Sequence, residues 1–145
     1  MPIEQTPIPA FDYLDRATEY LRAYNNLQRQ GPFDWARYLL MGHAVEVALK
    51  AYLLPRGWTM TRLRKHFAHD LVALLIEAKQ KGLMIGAEVE KDIIHLNHVH
   101  DNHLGRYPEY DGLTTNGGKG IVVVDCLKAS VDEIVAAVRR DLARP

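Results

Sequence analysis

The chain has 145 residues, 48% of them hydrophobic and 25% charged, and its formal net charge is zero. These values are typical of one globular domain, and they remove the simplest argument for nucleic-acid binding, a large basic excess. No apolar run reaches the roughly 18 residues of a membrane helix, and the N-terminus lacks the pattern of a signal peptide. The single cysteine, Cys126, cannot form an internal disulfide, so we predict a cytoplasmic protein. Nothing in the sequence places a histidine beside Cys126, so we predict a buried, inert thiol.

Apolar residues recur with helical spacing along most of the chain, which predicts an all-α protein. We expect a single domain, 1–145, that begins with an N-terminal arm over residues 1–9. The expected fold is a compact bundle of about five helices. Four are long and one is shorter, over residues 11–30, 34–54, 70–81, 86–103 and 123–143.

The second predicted helix, from Asp34 to Leu54, is apolar nearly all round, as in a helix that is buried in a core. We expect the Asp34 side chain to cap its first turn. Its polar residues His43, Glu46 and Lys50 fall in one narrow sector. Glu46 precedes Lys50 by four residues, the favoured order for an ion pair. The pair is either a salt bridge at the rim of the core or a charged group that faces a pocket or partner.

The connection after this helix is basic and is predicted to be a solvated loop, with contact to phosphate as the alternative. Its charged residues are Arg56, Arg62, Arg64, Lys65 and His66. Asp70 is expected to cap the short helix that follows, and Gly82 to end it. Residues 111–120 contain four glycines and are predicted to form a mobile loop.

The densest polar feature is H-L-N-H-V-H-D-N-H, from His95 to His103. His95 and His98 share one helix face, but neither an HExxH pattern nor paired cysteines accompany them, so we predict no metal site and no cofactor. His100 and His103 fall on the apolar arc of the helix. Each is therefore expected to be a satisfied core histidine or a contact with a second subunit.

In their order and spacing, three motifs resemble the HEPN domain family (higher eukaryotes and prokaryotes nucleotide-binding). The first is A-x-x-x-L-x-x-x-x-x-E-x-x-L-K, which is formed by Ala36, Leu40, Glu46, Leu49 and Lys50. The second is K-H-x-x-H-D-L, from Lys65 to Leu71, and the third is R-Y-P, from Arg106 to Pro108. The resemblance covers roughly residues 36–110 and implies a compact helical bundle that forms dimers.

Many HEPN domains are metal-independent endoribonucleases that use an arginine and, four to six residues later, a histidine, paired across the dimer. In this sequence no histidine follows Arg106. A literal match occurs at Arg64-x4-His69, earlier than the family's motif normally lies. Other members are nonenzymatic partners of small nucleotidyltransferases or bind nucleotides.

The preferred hypothesis is a homodimeric HEPN module that binds a nucleotide or a partner protein, such as a nucleotidyltransferase in a toxin–antitoxin-type system. The alternative is an endoribonuclease with a rearranged site that acts on RNA. The two hypotheses assign different residues to the site, one set for catalysis and one for binding a ligand. The predicted catalytic residues are His100, His103 and Arg106, and the predicted ligand-binding residues are Asn102, Tyr107, Glu46, Lys50 and His69.

Overall fold

The computed structural model describes residues 7–28, 34–101 and 124–143, and within these ranges the chain is helical and contains no strand. The all-α prediction is therefore confirmed. A 3-10 turn, Leu54–Arg56, follows the second helix. The helices are α1 Pro7–Asn26, α2 Trp35–Leu53, α3 Met60–Phe67, α4 Leu71–Gln80, α5 Ala87–Asp101 and α6 Val124–Leu142.

Helix α2 is the centre of the bundle and packs against α1, α4, α5 and α6. It buries apolar residues all round, as its sequence predicted, and it also buries the charged side chains of Glu46 and Lys50. The prediction that Asp34 caps this helix through its side chain is wrong. Asp34 has a left-handed backbone, with φ 54°, and makes no side-chain cap bond. Its carboxylate instead lies 3.8 Å from Arg37 Nε.

Helix α1 begins earlier and ends earlier than predicted, at Pro7 and Asn26. The predicted arm over residues 1–9 is therefore wrong in its last three residues. Prolines at positions 7 and 9 fit in the first turn of a helix, because the first four N–H groups have no intrahelical acceptor.

The basic connection was predicted to be a loop but contains a helix, α3. Thr59 caps it by accepting a hydrogen bond from Arg62 N. Leu63 is its one fully buried residue, while Trp58 packs on Phe67 with ring centroids 5.0 Å apart. The indole Nε1 also donates to Glu77 of α4 at 2.9 Å. Helix α3 has eight residues, several of them charged, and one buried apolar residue. Such a segment shows no helical period of apolar residues, so its sequence did not predict a helix.

The remaining boundaries agree with prediction to within one or two residues where they are described. Asp70 caps α4 by accepting from Ala73 N, and Gly82 follows it with φ 111°. Cys126 is exposed in the first turn of α6, so the predicted buried thiol is wrong. The predicted mobile loop, 111–120, lies outside the described residues. None of the described helices has the length and hydropathy to cross a membrane.

Candidate functional site

A buried carboxylate lies at the centre of the most polar region of the core. Glu46, in the middle of α2, is 6% exposed. Its Oε2 accepts a hydrogen bond from Lys50 Nζ at 2.8 Å, one turn further along the same helix. Its Oε1 lies 2.8 Å from His69 Nδ1 and 2.8 Å from His100 Nε2. We call these four residues the Glu46 cluster.

The members of the Glu46 cluster differ sharply in their access to solvent. The side chains of Lys50 and His100 are 5% and 1% exposed, whereas that of His69 is 36% exposed. His69 is therefore the member of the cluster that is accessible from solvent. Lys50 and His100 are buried.

The electrostatics keep Glu46 ionised. Burial raises the pKa of its carboxyl, but hydrogen bonds from His100, Lys50 and His69 and the charge of Lys50 outweigh burial and hold the pKa well below its usual range. An ionised carboxylate only accepts hydrogen bonds, so both imidazole nitrogens that face it are donors. A neutral His69 then carries its proton on Nδ1, which makes its Nε2 the basic atom.

Local structure around His69 fixes where its ring lies. Helix α3 ends at Phe67 and is followed by Ala68, whose φ of 48° is unusual for a residue with a side chain. His69 comes next in the turn, and Asp70 then caps α4. Asn97 of α5 holds this turn, since its Oδ1 accepts from Leu71 N at 2.7 Å and its Nδ2 donates to Asp70 Oδ1 at 3.1 Å.

Helix packing places His100 against α2 at a point where α2 has no side chain. Gly42 lies on α2 one turn before Glu46, and a Cβ built there would stand 2.2 Å from His100 Nδ1. The absence of a side chain at Gly42 thus makes room for the His100 ring. His43 contacts the same ring edge-on, with centroids 5.1 Å apart.

Three of these residues could together offer a metal ion its ligands. His43, Glu46 and His100 present ligand atoms within 4.8 Å of one another. The Lys50 ammonium on the same carboxylate opposes a second cation, and Glu46 Oε1 is already shared by two imidazole donors. The donor set is better suited to hydrogen bonds than to a metal.

The structure brings together four of the predicted site residues, namely Glu46, Lys50, His69 and His100. The first two form the predicted ion pair. The other four predicted residues lie outside the described ranges, and their roles stay predictions; they are Asn102, His103, Arg106 and Tyr107. Helix α5 is described to Asp101, the residue after His100, so this predicted segment follows the cluster directly in the chain.

Two residues of the site were not predicted. The glycine at position 42 has a signal in the sequence, because a glycine inside an apolar helix often marks a close approach. Asn97 has none, since its role depends on how α4 and α5 meet.

A comparison with known protein families assigns this helical bundle to a family. A family model described as HEPN domain matches residues 10–140, from α1 into α6. The chain belongs to the HEPN domain family. Searches of curated proteins and of solved structures gave no match. In this HEPN domain, the first two of the motifs that resembled the family meet in space, since Glu46 and Lys50 come from the first motif and His69 from the second.

Proposed function

We propose that this HEPN domain is a homodimeric, nonenzymatic module that binds a nucleotide or a partner protein. The observation that supports a nonenzymatic role is the burial of His100. Its side chain is 1% exposed, and Nε2 is bonded to Glu46. A general acid or base must reach the proton that it transfers, and a ring in this position does not reach a substrate.

The nucleotide is expected to bind where the Glu46 cluster reaches the surface. His69 is oriented by Glu46 and is more than a third exposed. A protonated imidazole there adds positive charge for a phosphate. The predicted residues Asn102, Arg106 and Tyr107 would supply an amide, a guanidinium that binds phosphate bidentately, and a ring that stacks on a base.

A partner surface is supported by exposed apolar side chains on α4 and α5. Ile76 is 52% and Ile94 is 57% exposed. Leu71 bonds to Asn97 and Lys79 pairs with Glu90, which makes the two helices antiparallel. This register places Ile76 within about one helical turn of Ile94. Contiguous exposed apolar surface is typical of protein interfaces, and we propose that these two side chains belong to such a surface.

The dimer is tested by sedimentation. The expected mass is twice the 16.5 kDa of one chain. Ile94→Glu should give the monomer mass, while Lys91→Glu, an exposed change on the same helix, should leave the dimer intact. A wild-type monomer at micromolar concentration would contradict this part of the proposal. A nucleotidyltransferase could bind the same surface in place of a second copy of the chain. Co-expression with a nucleotidyltransferase from a neighbouring gene should then give a complex that Ile94→Glu weakens.

A metal-independent endoribonuclease is the second candidate, and one observation favours it. Glu46 orients the accessible His69, an arrangement that suits a general base, and Arg64 precedes His69 with the spacing of the family's motif. Incubation with single-stranded RNA and a chelator separates the candidates. Intact RNA supports the nonenzymatic module, whereas cleavage that is lost in His69→Asn, His103→Ala or Arg106→Gln supports the ribonuclease.

A further inference from the structure

A cavity of about 530 Å³ opens at the end of the bundle where α2, α4 and α6 finish. This volume falls within the roughly 300–1,000 Å³ of small-molecule sites. His69 precedes the first turn of α4 and Lys81 follows its last, so the length of α4, about 15 Å, separates this end cavity from the exposed edge of the Glu46 cluster. The lining residues include Tyr52, Arg56, Lys81, Gly82, Arg140 and Asp141.

The end cavity carries more positive than negative charge. Arg56, Lys81 and Arg140 face one carboxylate of the lining, that of Asp141. The ion pairs of two of these cations are long. Arg140 Nε lies 3.5 Å from Asp141 Oδ1, and Lys81 Nζ lies 3.9 Å from Glu77 Oε2. Their side chains are 52% and 43% exposed, so both cations can turn toward a ligand.

The third cation is held in place. The Arg56 guanidinium lies 3.7 Å from the centroid of the Tyr52 ring, and its Nη1 donates to Tyr52 O at 2.8 Å. That bond uses one of five guanidinium N–H groups. A planar donor that is fixed on an aromatic ring is well suited to bidentate binding of a phosphate.

The wall beside this guanidinium is also fixed. Tyr52 Oη donates to Lys81 O at 3.3 Å. Gly82, with φ 111°, lets the chain turn there, and a Cβ on it would lie 3.4 Å from the same hydroxyl. The floor of the cavity is thus preorganised, while its two exposed cations are adjustable.

We propose that the end cavity binds a small molecule through its phosphate groups. Arg56 is the fixed donor, and Arg140 and Lys81 close on the anion. Each cation also lies near a helix C-terminus, where positive charge stabilises the helix dipole. A purely structural role of that kind predicts changed thermal stability with no saturable anion binding.

Calorimetric titration of the whole chain with inorganic pyrophosphate tests the proposal. Saturable binding is expected, and Arg56→Gln and Arg140→Gln should each weaken it about tenfold, the loss of one charge-assisted hydrogen bond. Asp141→Asn should strengthen binding severalfold, because it removes the competing carboxylate. Arg22→Gln, an exposed change on α1, is the matched control and should leave the affinity unchanged.

Absence of saturable binding, or an equal loss of affinity in Arg22→Gln and Arg140→Gln, would overturn the proposal. Circular dichroism melting curves check that each variant is folded. Arg140→Gln keeps the test informative if Arg56→Gln unfolds, since Arg140 is half exposed. Pyrophosphate bound at the nucleotide site proposed above would keep its affinity in Arg56→Gln and Arg140→Gln, because neither residue belongs to the Glu46 cluster. Saturable binding that both variants leave unchanged would therefore also overturn the end-cavity proposal, without bearing on the nucleotide site.

Discussion

The ring of His100 occupies the space that a side chain at Gly42 would need, with Nδ1 only 2.2 Å from the position of an added Cβ. In Gly42→Ala, either α5 moves away from α2 or the ring leaves Glu46. We expect the variant to lose about 1–3 kcal/mol of unfolding free energy, the usual cost of overpacking, although alanine favours the helix. Urea denaturation measures the change.

Gly86→Ala is the control for this prediction. A Cβ at Gly86 meets nothing within 4 Å, so its effect should stay within about 0.5 kcal/mol. Equal stability of Gly42→Ala and the wild type would show that the ring moves at no cost, and the close packing of α5 on α2 would then carry little energy.

Removal of the charge of Glu46 should lower the free energy of unfolding substantially. Glu46→Gln leaves the Lys50 ammonium, whose side chain is 5% exposed, without its carboxylate. Breaking a buried pair in this way costs about 3–5 kcal/mol. Lys128 and Asp132 form an ion pair with the same four-residue spacing, but Asp132 is 51% exposed. Asp132→Asn should therefore cost less than about 1 kcal/mol in the same denaturation experiment.

A comparison with ligand binding gives the role of Glu46. If Glu46→Gln leaves the melting temperature unchanged but abolishes nucleotide binding, the carboxylate serves the ligand and not the fold.

Stability should depend on Glu46 in acid. The folded pKa of its carboxyl is lowered from the ordinary value of 4.5, mainly by the donors that overcome burial. Since the unfolded chain then binds the proton more tightly, the stabilisation is complete above about pH 4.5 and is lost as the pH falls toward the folded pKa. The free energy of unfolding of wild type and of Glu46→Gln should be measured between about pH 3 and pH 7. The two values should approach each other as the pH falls. A difference that is constant with pH would contradict this assignment.

Asp70 and Asn97 are expected to act as one unit. Asn97 bonds both to the Asp70 carboxylate and to the first N–H of α4, so either replacement by alanine disturbs the same helix start. Each single change should cost about 1 kcal/mol. The double variant should cost less than the sum by at least about 0.5 kcal/mol, as measured by a double-mutant cycle. Additive losses would indicate that the two residues stabilise α4 separately.

The sequence predicted the parts of the fold that depend on periodicity. The central helix, its buried character and the Glu46–Lys50 pair all follow from spacing within one stretch. The cap at Asp70 follows from local hydrogen bonding. Helix α3 was missed because one buried leucine gives no period, although Thr59 at its start is a typical capping residue.

The rest of the site depends on tertiary contacts that no local pattern contains. His69 and His100 reach Glu46 from 23 and 54 residues away. The resemblance to the family brought His69 into the predicted site, while the apolar arc of α5 predicted only that His100 would be covered. The end cavity was not predicted, since its lining comes from the last turns of α2 and α6 and from residues that follow α2 and α4.

The separation of these partners along the chain has a consequence for the order of folding. The bond between His100 and Glu46 closes a loop of more than fifty residues, and it forms only when α5 is already packed on α2. Contacts that are completed late are absent from the transition state, so they slow unfolding and leave the folding rate nearly unchanged. The bond between His100 and Glu46 should thus slow unfolding, and stopped-flow measurements on His100→Gln, which leaves the local Glu46–Lys50 pair in place, should show faster unfolding with an almost unaltered refolding rate.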